Sequence, residues 1–148
     1  MMEKIKAMYE ANQKNEAAYD AAEAIADQAG MEAARARHEE LCKEARDYGK
    51  DFCFMLRLYT EMKERGNELI DLNRVDDNQA EEVIAILNKF GIKKFTFSST
   101  WSSTITAAWE ISQHGCTLEG MIQINSEYPE FRSNERKKIP ALVFSINK

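Results

Sequence analysis

The chain has 148 residues, which is the size of one ordinary domain. Hydrophobic residues make up 44% of it and Gly and Pro are few, so the composition supports a packed core and excludes a disordered tail protein. Twenty Lys and Arg stand against 25 Asp and Glu, for a net charge of −5. This charge argues against nucleic acid as a direct ligand, because phosphate-backbone binding depends on cations.

The sequence shows neither a membrane-spanning run nor a secretion signal, and this pattern predicts a cytoplasmic location. No apolar run reaches the roughly 20 residues that span a bilayer, and the start, MMEKIKAMYEANQK, lacks the apolar core of a secretion signal. The three cysteines are an odd number without a C-x-x-C pair, which fits free thiols in a reducing compartment. We therefore expect a cytoplasmic protein without a membrane partner.

Histidine and cysteine offer one weak metal pattern. His38 and Cys42 stand four residues apart, and His114 and Cys116 flank Gly115. A helix that ends at His114 and Gly115 explains the second pair without a metal, and it also removes Cys116 and His114 as a nucleophile and base. We predict no metal, no cofactor and no catalytic residue.

Residues 1–66 have the composition of helices: they are rich in Ala, Glu, Lys and Arg and contain no Pro. A weak Ala-rich stripe precedes Gly30, and a stronger stripe with steps of three and four follows it. The register slips at Gly30. The pattern predicts helices at 3–28 and 31–65 that form an antiparallel hairpin, or coiled-coil-like helices that extend or pair with a second copy.

Residues 67–148 predict a second domain with the order β-α-β-α-β-β. Its segments are a strand at 68–72, a helix in AEEVIAILNKFG, a strand in KKFTFSS, a helix in TWSSTITAAWEISQHG, and strands in TLEGMIQINSEY and IPALVFSIN. Two strands alternate apolar and polar residues, so one sheet face needs helical cover and the domain has two layers. The second helix should pack through Trp101, Ile105, Ala108 and Trp109.

This order of elements resembles the C-terminal domain of translation initiation factor three and SirA-like domains. The resemblance implies a four-stranded mixed sheet with the order 1-2-4-3, and it carries no function. The predicted fold class is α+β: an N-terminal helical hairpin at 1–66 and a two-layer α/β domain at 67–148.

A hydroxyl-rich turn separates the second strand from the following helix. Open α/β sheets bind ligands beyond the carboxyl ends of their strands, and helix N-termini attract anions. In the alternative, Ser99 or Thr100 caps the helix and the other hydroxyls are solvated. The candidate ligand-binding residues are Ser98, Ser99, Thr100, Trp101, Ser102 and Ser103.

A basic cluster with two aromatic residues lies in the last hairpin. Four cations and two aromatic rings can bind a partner, and a solubilising hairpin tip is the alternative. The candidate partner-binding residues are Tyr128, Phe131, Arg132, Arg136, Lys137 and Lys138.

The segment FTFSSTWSSTITAAW, followed by GCTLEGMIQINSEY, resembles a little-characterised family of small proteins from gut Firmicutes and their mobile elements. The resemblance covers residues 66–147. It implies an accessory gene of phages or plasmids, whose products often bind host machinery, including anti-CRISPR and other anti-defence inhibitors.

The sequence supports two alternative functions. The first is a non-enzymatic protein-interaction module, a mobile-element-encoded inhibitor that binds a protein partner such as a host defence nuclease complex; a homodimer through the N-terminal helices is an alternative partner. The second is a small ligand- or nucleotide-binding domain that uses the turn from Ser99 to Ser103.

Overall fold

A computed structural model describes residues 1–129 and 135–147, without the side chain of Pro129. The elements are α1 (Met2–Ala24), α2 (Gln28–Asp47), α3 (Lys50–Arg65), β1 (Asp71–Leu72), a 3-10 turn (Asp77–Gln79), α4 (Ala80–Lys89), β2 (Lys94–Phe97), α5 (Thr104–Gln113), β3 (Cys116–Pro129) and β4 (Arg136–Ile146). Three N-terminal helices thus precede a four-stranded mixed sheet, and the predicted α+β class is confirmed.

The chain divides into two compact units, Met1–Arg57 and Leu58–Lys148, so the division falls inside α3. The domain boundary that the composition places after residue 66 stays a prediction. Among the described residues, no helix is both long enough and apolar enough to cross a bilayer.

In the first unit, α1 and α2 form an antiparallel hairpin. Asn15 Nδ2 donates to the Ala34 carbonyl at 2.9 Å near the middle of the hairpin. The Lys4 ammonium, near the start of α1, lies 4.9 Å from the ring centroid of Tyr48, just past the end of α2. The predicted hairpin is therefore present between these two helices.

The turn of this hairpin lies earlier than predicted. α1 ends at Ala24, and Ala26 adopts a left-handed φ of 55°. Asp27 then caps α2 by accepting from the Gly30 N–H at 3.1 Å. Gly30 lies inside α2, where a Cβ would stand 2.5 Å from Asp27 Oδ2 and 2.9 Å from Ala22 Cβ of α1. The glycine therefore permits close helix approach instead of making the turn.

The predicted single helix at 31–65 is wrong, because it is two helices. α2 ends at Asp47, α3 begins at Lys50, and Gly49 between them has a left-handed φ of 104°. The apolar stripe keeps its spacing on both sides of this break, so periodicity does not reveal it. Gly49 is the residue that permits the break, because only glycine adopts this conformation without strain.

The second unit contains the sheet, in the predicted strand order β1-β2-β4-β3. β1 runs parallel to β2 with Asp71 opposite Thr96, and β4 is antiparallel to both of its neighbours. Phe95 and Phe144 stack across β2 and β4 with ring centroids 5.7 Å apart. β1 has two residues and is shorter than the predicted strand at 68–72.

The predicted packing face of α5 is wrong. Ala107 and Ile111 are fully buried, whereas Ile105 is 84% and Trp109 62% exposed. The helix therefore packs through Ala107 and Ile111, and the bulky Ile105 and Trp109 lie on its outer face. The cap also differs from the prediction, because α5 begins at Thr104 with Ser103 at its N-cap position.

The tight contact at Gly30 generates a prediction. Gly30→Ala should lower the free energy of unfolding by about 1 kcal/mol, because overpacking costs about 1–3 kcal/mol and the gain in helix propensity is about 1 kcal/mol. Urea denaturation measures the change, with Glu32→Ala at an exposed position of the same helix as control. An increase in stability for Gly30→Ala would contradict the close approach.

Candidate functional site

The site begins where α3 ends. Gly66, with a φ of 69°, donates to the Lys63 carbonyl, and Asn67 donates to the Met62 carbonyl at 3.0 Å. This pair of hydrogen bonds is a Schellman motif, which closes the last turn of the helix. Asn125 Nδ2 of β3 donates to the Arg65 carbonyl at 2.7 Å. The backbone of Arg65 is thereby fixed against the sheet.

A buried carboxylate fixes the side chain of Arg65. Arg65 Nη1 donates to Asp71 Oδ2 at 3.0 Å, and the two residues are 4% and 5% exposed. Thr96 Oγ1 donates to Asp71 Oδ1 at 2.7 Å, and Ser98 Oγ donates to Oδ2 at 2.5 Å. The strand register produces this cluster, because Asp71 lies opposite Thr96, and Ser98, two residues further on, points to the same face.

Two nitrogens of Arg65 remain without a hydrogen bond. Nε and Nη2 donate to no atom of residues 1–129 or 135–147. Glu61 Oε2 lies 3.7 Å from Nη2, which is within ion-pair range and beyond hydrogen-bond distance. Nε and Nη2 share one edge of the planar guanidinium, and such an edge matches two oxygens of a carboxylate or a phosphate.

Arg65 lines a pocket of about 330 Å³ in the second unit. The pocket lies beyond the carboxyl end of β2, because β2 pairs with β4 only as far as Leu142, while β3 and β4 remain paired out to Pro129 and Arg136. The extended β3–β4 hairpin supplies one wall, and the segments after β1 and β2 supply the others.

The lining of the pocket is positive, although the whole chain is acidic. Among the described lining residues, Arg65, Arg74 and Lys137 are cationic and Glu127 is the one carboxylate. Arg74 Nη2 donates to both oxygens of Glu127, at 3.2 and 3.1 Å. Lys137 is exposed and has no ion-pair partner among the described residues. Asp71 and Glu61 approach Arg65 without lining the pocket.

Half of the predicted hydroxyl turn lines this pocket, namely Ser98, Thr100 and Trp101. The Ser99 side chain is buried and accepts from the Trp101 N–H at 3.3 Å. Ser103 Oγ donates to Asp76 Oδ1 at 2.8 Å, so it joins the turn to the segment after β1. Ser102 is exposed and outside the pocket.

The predicted basic cluster contributes Tyr128 and Lys137 to the same pocket. Arg136 Nη1 donates to the Glu127 carbonyl at 2.9 Å and so braces the hairpin. Lys138 Nζ donates to Asn125 Oδ1. Phe131 and Arg132 lie outside the described residues.

Arg65 and Arg74 are not among the site residues that the sequence predicts. Arg65 stands in the last turn of a helix, where a cation is expected to complement the helix dipole, so its position gave no sign of a site. Arg74 follows a strand end, which is a usable signal. The predicted turn and the predicted basic cluster, treated separately in the sequence, meet at one pocket.

The two cysteine–histidine pairs of the sequence, His38 with Cys42 and His114 with Cys116, lie outside this pocket. His38 Nε2 lies 3.5 Å from Cys42 Sγ, and His114 Nε2 lies 3.5 Å from Glu110 Oε2. The described part of the chain contains no group of three His, Cys, Asp or Glu that can hold a metal ion. Burial raises the pKa of the Cys116 thiol to about 11, which keeps it protonated at neutral pH and makes it a poor nucleophile.

Comparison with known families identifies the family to which the chain belongs. Residues 54–146 match the model of a domain of unknown function, DUF7698, and this match covers more than half of the sequence, so the chain belongs to that family. The match begins inside α3 and includes Arg65 and the other residues that line the pocket. No curated protein and no solved structure matches the chain significantly.

The Asp71 cluster generates a second prediction. Asp71→Ala should lower the free energy of unfolding by about 3–5 kcal/mol, because it leaves the buried Arg65 charge without its carboxylate. Urea denaturation measures the loss, and Glu68→Ala, an exposed acid just before β1, is the control. A loss no larger than that of the control would show that Arg65 does not depend on Asp71.

Proposed function

We propose that the second unit binds a small anionic ligand in the pocket beside Arg65. The observation that carries this proposal is the edge of the Arg65 guanidinium, whose Nε and Nη2 are buried without a hydrogen-bond acceptor in the described chain. The sequence alone favours protein interaction over ligand binding. The convergence of Arg65, Lys137 and the hydroxyl turn on one pocket supports placing it first.

The free-energy cost of leaving two buried donors unpaired favours the binding of an anion. A buried donor without an acceptor costs about 1–3 kcal/mol, and two oxygens of a carboxylate or phosphate would satisfy both nitrogens. Asp71 already holds Arg65 in place, so binding costs little side-chain entropy. Glu61 lies near the same edge and offsets part of its charge, but at 3.7 Å it does not satisfy the donors.

Exposed groups add to the attraction. The Lys137 ammonium and the Thr100 hydroxyl line the same pocket, and neither makes a hydrogen bond or an ion pair among the described residues. Ser98 donates its proton to Asp71, so it positions Arg65 and does not itself donate to the ligand. The chain thus offers two nitrogens of Arg65, one ammonium and one hydroxyl to an anion.

The third prediction tests the anion. Inorganic phosphate at millimolar concentration should raise the Tm, because it binds only the folded state. Lys137→Gln should weaken phosphate binding by about fivefold, since one exposed charge contributes up to about 1 kcal/mol. Lys138→Gln, at the next residue and outside this pocket, should leave the affinity unchanged. If phosphate, sulfate and citrate all leave the Tm of the unmodified protein unchanged, the proposal fails.

The second candidate function is the protein-interaction module, and a separate surface favours it. Ile105 and Trp109 lie one turn apart on the outer face of α5, at 84% and 62% exposure. Large exposed apolar side chains, Trp above all, are frequent anchors of protein interfaces. The narrower role of a mobile-element inhibitor of host defence rests on the sequence resemblance and belongs to this second candidate.

A fourth prediction tests the protein interface. The double variant Ile105→Ser/Trp109→Ser should lose a protein that the unmodified chain retains from a host lysate, because it removes both apolar anchors. Leu118→Ser is the matched control, since Leu118 is 52% exposed on β3. Unchanged retention by the double variant, with both variants folded by circular dichroism, would contradict an interface on α5.

A further inference from the structure

The mouth of the anion pocket carries two aromatic side chains that an anion alone does not use. Trp101 and Tyr128 line the pocket and are 44% and 65% exposed. Ile139 adds a half-buried apolar side chain to the same lining. The Arg65 side chain is 97% buried, whereas the two rings are exposed, so within the same lining the cation is shielded from solvent and the aromatic rings are not.

We infer that the ligand is a phosphate monoester that carries a planar ring, of which a mononucleotide is the representative. This inference rests on the proposed function, because the phosphate is the anion that meets Arg65 and Lys137. The ring then lies at the mouth, where it stacks on Trp101 or Tyr128. Aromatic side chains bind bases in this way and tolerate any base, because every base has a π face.

The size of the pocket supports a ligand of this class. A volume of about 330 Å³ is at the lower end of the roughly 300–1,000 Å³ found for ligand pockets. It suits one mononucleotide better than a dinucleotide. The position beyond the carboxyl ends of two parallel strands is also where open α/β sheets bind nucleotides.

The carboxylates Glu127 and Asp71 do not exclude the proposed phosphate, because both already have partners. Glu127 is neutralised by Arg74, and Asp71 accepts three hydrogen bonds from Arg65, Thr96 and Ser98. Among the acids of residues 1–129 and 135–147, Glu61 is the one that approaches the unpaired edge of Arg65. The structure therefore predicts that Glu61→Gln tightens phosphate binding, whereas a purely structural ion pair would leave that affinity unchanged.

The test measures affinities by isothermal titration calorimetry with the full chain. The probes are AMP, GMP, CMP, UMP, ribose 5-phosphate and adenosine. We expect at least one nucleotide to bind about tenfold more tightly than ribose 5-phosphate, the usual effect of stacking one base. The double variant Trp101→Ala/Tyr128→Ala removes both rings of the lining, so it should abolish this difference and leave the affinity for ribose 5-phosphate unchanged.

Trp109→Ala is the matched control, because Trp109 is also exposed and lies outside the pocket. It should change no affinity. Equal affinities for nucleotides and ribose 5-phosphate would contradict the stacking of a ring and would leave the proposed anion site unaffected. Adenosine binding as tightly as AMP, or no binding of any phosphate, would overturn the anion site itself and the inference with it.

Discussion

The buried pair of Arg65 and Asp71 is the interaction on which the second unit depends. Burying two charges costs several kcal/mol per ion, and the attraction between them offsets that cost only when further hydrogen bonds satisfy their remaining atoms. Thr96 and Ser98 supply these hydrogen bonds to Asp71. One carboxylate thereby joins the end of α3 to β1 and to the end of β2.

The same interaction leaves unpaired donors on a residue that lines the pocket. Asp71 satisfies only one of the guanidinium's nitrogens, and Glu61 stands too far away to accept from the others. Under the proposed function, the unpaired edge of Arg65 is a preorganised anion site instead of a saturated structural contact. The pocket around it exists because the β3–β4 hairpin extends past the end of β2.

Periodicity and composition predicted much of the fold. The alternating strands and the amphipathic helices gave the α+β class, and the order of elements gave the sheet order by resemblance. The break at Gly49 was missed because the apolar stripe continues across it. The inner face of α5 was missed because a helix with Trp and Ile on one side and Ala107 and Ile111 on the other gives no unique packing face.

The site could be predicted only in part, because it is assembled from distant segments. The hydroxyl turn was recognisable as a strand-to-helix junction, and the basic hairpin as a charged cluster. Their proximity follows from the antiparallel pairing of β4 with β2, which places Lys137 near the end of β2. The role of Arg65 depends on its burial, which a sequence of alternating charges in a helix does not reveal.

NMR observation of the Arg65 Nε–Hε group tests the central claim most directly. Titration with phosphate or a nucleotide should shift this resonance strongly and slow its exchange with solvent, because the group gains an acceptor on binding. The resonance is assigned by its loss in Arg65→Lys. A resonance that stays unchanged at saturating ligand, while other signals of the protein move, would show that the buried arginine is a structural residue and that the anion binds elsewhere.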